Sequence, residues 1–254
     1  MFKSLIKKSN HLLKLGRYDK PSGSLLLMWP CFWGAMVQIN DEILFIKSLL
    51  LFFVGSFVMR GAGCCINDIF DKDFDKKVKR TQKRPLASGK LKLIDALLFT
   101  IFQMLIGLLV VLQFKSNVII ISFLIIPFVL IYPLLKRFTY FPQVLLGLVF
   151  NWGVFVGYLS QDNIFDYKIL FLYFGGVFLT IAYDTIYGFQ DISDDKKIGV
   201  KSLSILIEKK PTLNLSILYF ISFLSFTLFF FSFYNDIFKN IIYSLTILLS
   251  FSLQ

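Results

Sequence analysis

The sequence predicts an all-α fold, a polytopic bundle of about eight transmembrane helices. Three observations carry that prediction. The 254 residues are 56% hydrophobic with a mean hydropathy of +0.70, and only 17% are charged, against about 25% in a typical soluble domain. Apolar residues recur in blocks of roughly 18–23, the helical length that crosses a hydrocarbon core of about 30 Å. Lys and Arg, finally, crowd into alternate loops.

The chain opens on a basic, amphipathic segment to Pro21 that holds six Lys/Arg. It does not read as a cleavable signal, because the first apolar block, 22–39, is expected to run on as a span. Block 43–66 carries Arg60 and leads into the charged stretch 67–92, with nine basic residues. Blocks 93–114 and 118–135 follow, the second ending at Lys136 and Arg137. Blocks 142–160 and 168–190 lead to 191–211, which adds five basic residues. Blocks 212–233 and 240–254 complete the pattern, the last being fifteen residues, or about 22 Å of helix. Lys47, Lys115, Lys168 and Lys239 are spread one to each intervening loop, so 22 of the 27 basic residues fall on one side. That asymmetry places the N-terminus and the basic loops in the cytoplasm, as expected for a bacterial inner membrane protein. The net charge of +11 therefore sets topology against anionic lipid and is not a nucleic-acid patch. The chain reads as one domain, 1–254, with pseudo-repeat halves at about 22–141 and 142–254.

Two acidic stretches share the basic side. In "NDIFDKDFD" (67–75), Asp68, Asp71 and Asp75 stand at i, i+3 and i+7, one face of a helix continuing from the second span, while Asp73 points away. In "YDTIYGFQDISDDKKIGVKS" (183–202), Asp184, Asp191 and Asp195 follow at i, i+7 and i+11, with Asp194 flanking. Four spans lie between the two stretches, so both return to the same face. Carboxylates stacked at low dielectric repel one another and call for a cation. Mg²⁺ suits them, being hard, oxygen-seeking and often held by one or two carboxylates together with substrate phosphates. Lys72, Lys76, Lys79, Arg80, Arg84, Lys136, Arg137 and Lys201 lie near the same face. Some of them could hold diphosphate oxygens, and the rest are topology anchors. Cys31, Cys64 and Cys65 fit neither a disulfide framework nor a zinc site and read as packing residues. His11 has no metal-ligand partner nearby. Most of the 31 phenylalanines, with Trp29, Trp33 and Trp152, suit lipid-facing or packing positions. Gly61 and Gly63 read as helix-packing residues more than as a phosphate loop.

"NDIFDKDFD", "VKRTQKRPLASG" (78–89) and the 183–202 stretch together resemble the UbiA superfamily of intramembrane prenyltransferases. The wording of both motifs, with "GRYDKPSGSLLLMWPCFW" (16–33), is most similar to the 4-hydroxybenzoate polyprenyltransferase branch of ubiquinone biosynthesis. The resemblance implies a helical bundle, typically of nine helices, around a central cavity open to lipid. Its partners would be a polyprenyl diphosphate, 4-hydroxybenzoate and membrane lipid, its cofactor Mg²⁺. The metal ligands it implies are Asp68, Asp71, Asp75, Asp191 and Asp195, with Asn67 completing the first motif. Asn67, Lys136, Arg137 and Lys201 are the expected diphosphate contacts, and Asp71, Asp191, Asp195 and Arg137 the expected catalytic set. Tyr183, Tyr187 and Phe189 would face an allylic cation, Asp191 would take the ring proton, and Arg137 or Lys136 would orient the acceptor's carboxylate. Alternatives from the sequence are another aromatic acceptor such as a naphthoate, a divalent-cation transporter, and a structural membrane protein.

Overall fold

The computed structural model describes residues 2–252, and every regular element among them is helical. The order is α1 (Phe2–Leu15), α2 (Ser22–Val37), α3 (Glu42–Asp75), α4 (Leu93–Val111), α5 (Ser116–Leu124), α6 (Ile126–Leu135), α7 (Pro142–Asn151), α8 (Gly153–Leu159), α9 (Ile169–Gly188), α10 (Ile192–Ile198), α11 (Leu203–Leu206), α12 (Pro211–Phe233) and α13 (Ile237–Ser252). Among the described residues, six helical runs are long and apolar enough to cross a membrane: α3, α4, α5 with α6, α7 with α8, α9 with α10, and α12. The first and last of the eight expected blocks are apolar helices of 16 residues each, α2 and α13. The chain is an integral membrane protein by this pattern.

Local chemistry explains the breaks. Asp41 caps α3 by accepting from the Leu44 amide at 2.9 Å. The fourth apolar block is split at Ile125 because Pro127 has no amide proton to donate and crowds the preceding turn. The fifth is split at Trp152, whose indole Nε1 donates to the Ile121 carbonyl at 2.8 Å. Next to that break α8 lies directly on α2. A Cβ on Gly157 would collide with the Cys31 carbonyl, and one on Gly34 with that of Val154. Glycine permits this approach of two backbones, which suits a membrane interior where dispersion and close packing drive association.

The main core joins α8, α9 and α12 through Phe155, Tyr158, Tyr173, Val177, Ile181, Phe226 and Phe229. Polar pairs cross it: Asn151 donates to Thr180 Oγ1 at 2.8 Å, and Ser222 donates to the Gly175 carbonyl at 2.7 Å. A smaller apolar cluster of Leu15, Cys65, Leu86, Leu91 and Ala96 ties α1 and the 76–92 loop to α3 and α4. Lys8 reinforces it with an ion pair to Asp95 at 2.7 Å. All three cysteines are free, and Cys64 and Cys65 are buried.

Candidate active site

The last turns of α3 carry the first aspartate motif. Asp68, Asp71 and Asp75 share its buried face at 1%, 1% and 6% exposure, and Asp73 projects outward to pair with Lys76 at 2.8 Å. A buried carboxylate must be paired or it will not stay ionised, and each of the three has a cation. Asp68 accepts two hydrogen bonds from Arg17, at 2.8 and 2.9 Å, and a third from Arg84 at 3.0 Å. The same Arg84 nitrogen donates to Asp75 at 2.8 Å. Asp71 pairs with Lys136, from the end of α6. The loop after α3 folds back to deliver Arg80 and Arg84, held by Thr81 Oγ1 donating to the Asp75 carbonyl at 3.1 Å.

The second motif is built differently. α9 ends at Gly188, a 3-10 turn spans Phe189–Asp191, and α10 then runs to Ile198 before Gly199 at φ 75° turns the chain back. The aspartates expected on one face of a continuous helix are thus distributed over a broken one. Asp191 is gripped by Arg80, with Nε donating to Oδ1 at 2.9 Å and Nη2 to Oδ2 at 2.6 Å. These bonds raise the Arg80 pKa above its ordinary value, and its guanidinium also lies 5.6 Å from the centre of the Tyr187 ring. The returning strand of chain is pinned where the Lys201 amide donates to the Lys136 carbonyl at 2.8 Å.

Both motifs open on one pocket of about 220 Å³. Asn67, Asp71 and Asp75 line it from α3, Asp184 from α9, Asp191 from the turn after it and Asp195 from α10. Arg80, Arg84, Lys136 and Lys201 also line it, with Tyr132 and Tyr187 among the aromatic walls. Other expected residues lie elsewhere. Arg137 packs 5.0 Å over the Phe74 ring, donates to the Phe70 carbonyl at 3.0 Å, and is not part of the lining. Asp68 lies behind the pocket wall with its oxygens engaged by arginine. Phe189 packs against the main core. Lys201 does line the pocket, with its ammonium donating to the Phe138 carbonyl at 3.2 Å and 5.5 Å from the Tyr140 ring.

The donor chemistry fits a magnesium ion. Asp71 Oδ1 is buried without a partner, and among the described residues Asp184 and Asp195 form no ion pair. Among the described residues, no three His, Cys, Asp or Glu side chains form a ready-made metal cage. Magnesium does not need one, since one or two carboxylates plus substrate phosphates commonly suffice.

Arg60 and Arg17 lie outside the pocket lining and are the arginines near it that sequence reasoning left without a role. Arg60, two helical turns before Asn67, donates to Cys64 Sγ at 2.7 Å and lies 5.6 Å from the Phe150 ring. Its Nε is buried without a hydrogen-bond partner, and it makes no ion pair among the described residues. The signal was present: a lone arginine in an apolar span is functional by default. Tyr132, on the pocket wall, had no comparable mark in the sequence.

These features define a class: a helical membrane protein whose charged pocket unites two aspartate motifs. The UbiA prenyltransferase family profile matches residues 27–253, and the chain belongs to that family. It is 43% identical over 203 residues to a Drosophila melanogaster mitochondrial 4-hydroxybenzoate polyprenyltransferase, covering 79% of this chain and 52% of the relative. It is 44% identical over 192 residues to 4-hydroxybenzoate geranyltransferase 1 of Lithospermum erythrorhizon, covering 75% and 62%. A 4-hydroxybenzoate octaprenyltransferase of the bacterium Pseudoalteromonas translucida is 38% identical over 199 residues, covering 78% and 68%. The chain thus spans about half the length of the fly relative and about two thirds of the bacterial one. Two solved structures share the fold. A UbiA homolog from Aeropyrum pernix K1 superposes with a TM-score of 0.75 at 23% identity, covering 91% of this chain and 87% of that one. A UbiA homolog from Archaeoglobus fulgidus bound to GPP and Mg²⁺ gives 0.75 at 17%, covering 93% and 83%.

Proposed function

We propose that this chain transfers a polyprenyl group from a polyprenyl diphosphate to the ring carbon ortho to the hydroxyl of 4-hydroxybenzoate, with Mg²⁺ as cofactor. The observation that carries the reading is the closure of both aspartate motifs, with Arg80, Arg84 and Lys136, around one pocket at one end of a membrane bundle. The relatives named for this acceptor support the choice of substrate. The reading places the basic loops and the pocket on the cytoplasmic face of a bacterial inner membrane, following the distribution of Lys and Arg. It treats 1–254 as a single catalytic domain.

Lys136, Arg80 and Arg84 exchange part of their contacts with carboxylate for contacts with diphosphate oxygens, which holds the head group in place. Asn67, Asp71 and Asp195 would hold the metal, which when bound neutralises charge on the departing diphosphate. The allylic C–O bond breaks with its electron pair going to the diphosphate, and the ring faces of Tyr132 and Tyr187 stabilise the cation left behind. The electron-rich ring carbon forms the new C–C bond. Asp184, which lines the pocket and has no ion pair among the described residues, takes the ring proton. Asp191, the base expected from sequence, has both oxygens engaged by Arg80 and suits a charge-pairing role better. Neither Arg60 nor Arg137 lines the pocket; Arg60 is assigned to the acceptor's carboxylate because its Nε is buried without a partner, whereas Arg137 is engaged by Phe74 and Phe70. The surrounding bundle excludes water that would otherwise quench the cation.

The carboxylates gather at one end of the bundle, whereas a divalent-cation transporter needs polar groups near the midplane. The test uses membranes containing the chain, ring-labelled 4-hydroxybenzoate, a polyprenyl diphosphate and Mg²⁺. Label should enter a lipid-extractable product, and both EDTA and Asp71→Ala should abolish it. No product from well-expressed protein overturns the acceptor assignment, and repeating with a hydroxynaphthoate tests the runner-up.

A further inference from the structure

We infer that Asp68 is not a metal ligand but a positioning residue, and that Arg17 acts through it to fix Arg84 at the diphosphate end of the pocket. The inference rests on the prenyl-transfer reading of that pocket.

Three observations carry it. Asp68 is 1% exposed, does not line the pocket, and spends both oxygens on arginine: Arg17 at 2.8 and 2.9 Å and Arg84 at 3.0 Å. Arg84 does line the pocket, and one of its nitrogens, Nη1, bridges Asp68 and Asp75. With that nitrogen tethered at both carboxylates, the orientation of the planar guanidinium is fixed and its other edge is left for an anion. Arg17 holds a left-handed backbone conformation at φ 60° in the turn after α1, a position where glycine is ordinarily preferred. An arginine kept there at a conformational cost indicates that its side chain is required. The turn is anchored around it. Tyr18 Oη donates to Gln103 at 2.9 Å and its ring packs edge-on to Phe99, while Lys8 ties α1 to Asp95. Arg17 thus reaches Asp68 from a fixed base, and Asp68 relays that position to Arg84.

The test compares wild type, Arg17→Gly, Arg17→Lys, Asp68→Asn, Arg84→Ala and the Arg17→Gly/Arg84→Ala double variant, purified in detergent. Geranyl diphosphate binding, the KM for polyprenyl diphosphate, the Mg²⁺ concentration for half-maximal rate and thermal stability are measured for each. Arg17→Gly relieves the backbone but gives up the bonds of Arg17 Nη1 to the Lys14 and Leu15 carbonyls and leaves Asp68 to Arg84 alone, so thermal stability is read beside binding and Arg17→Lys serves as the second variant. Arg17→Gly should weaken geranyl diphosphate binding and raise KM by about tenfold, the scale of a charged hydrogen bond, with Arg17→Lys recovering part of the loss. Half-maximal Mg²⁺ should not change in Arg17→Gly or Asp68→Asn. The double variant should bind no worse than Arg84→Ala. A higher Mg²⁺ requirement in Asp68→Asn overturns the inference by making Asp68 a ligand. Additive losses in the double variant, or reduced stability with unchanged KM, overturn it by making Arg17 an independent contact or a structural strap. A wild type that binds geranyl diphosphate but prenylates no acceptor overturns the functional reading alone; a wild type that binds none overturns both.

Discussion

The two aspartate motifs meet at one pocket but are prepared for it in opposite ways. The first sits on the unbroken end of α3, and every carboxylate on its buried face has an arginine or lysine partner. The second sits on a helix interrupted at Phe189–Asp191, where only Asp191 is firmly paired and Asp184 and Asp195 form no ion pair among the described residues. One side of the site is thus paired in advance, and the other holds two carboxylates with no ion-pair partner among the described residues. On the proposed reading, a dication held between Asn67 and Asp71 of the first motif and Asp195 of the second would offset that charge, while the diphosphate would meet Arg80, Arg84 and Lys136.

The largest effect that would break this comparison comes from Asp71→Ala, which removes the one aspartate of the first motif with a free buried oxygen. Its kcat/KM should fall by about a thousandfold or more, read in the labelled-acceptor assay at equal membrane levels. A fall of only a few-fold would mean that the first motif is purely structural. Next comes a difference in stability. Asp68→Asn leaves Arg17 without its carboxylate partner and Arg84 with Asp75 alone, and should lower unfolding stability by about 3 kcal/mol, whereas Asp195→Asn, with no ion pair to lose, should leave it within about 0.5 kcal/mol. Thermal unfolding in detergent checks both, and equal losses would erase the distinction between the motifs. Asp195→Asn should instead raise the Mg²⁺ needed for half-maximal rate, by about tenfold. That is the scale of one lost charged contact. Arg60→Ala should raise the KM for 4-hydroxybenzoate by about tenfold or more while leaving geranyl diphosphate binding unchanged, which calorimetry separates. The smallest effect belongs to Arg137→Ala, whose side chain lies on Phe74 outside the pocket. Activity should stay within about twofold of wild type, because exposed cation–π contacts are weak.

The helical bundle could be read from block length alone, since a bilayer permits few other backbone solutions. The face shared by Asp68, Asp71 and Asp75 was legible because helical periodicity is local. The periodicity could not show what each aspartate meets. Lys136 lies 65 residues from Asp71, and Arg80 lies 111 from Asp191, so those pairings depend on the fold of the whole chain. Arg137 illustrates the same limit. It is adjacent to Lys136 in sequence, yet a one-residue step near a helix end leaves Lys136 in the pocket lining and Arg137 on Phe74, which periodicity could not tell apart. The break at Phe189 was hidden because nothing in "YGFQDIS" is a strong helix breaker apart from Gly188. Arg60 was visible from the start as an arginine in an oily block, but its meaning required knowing that Cys64, Asn67 and Asp71 follow it toward the pocket.

The length of α3 has one further consequence. At 34 residues it measures about 51 Å, well beyond a hydrocarbon core of about 30 Å. Its last turns, with the aspartates, therefore stand at the depth of lipid head groups. If the proposed substrate is the right one, a prenyl diphosphate floats with its charged end at that level and would arrive by two-dimensional diffusion without leaving the leaflet. On that reading the quantity that would set the reaction rate is its mole fraction in the membrane. Adding inert lipid at constant substrate and constant protein should slow the reaction, although nothing in the aqueous phase has changed.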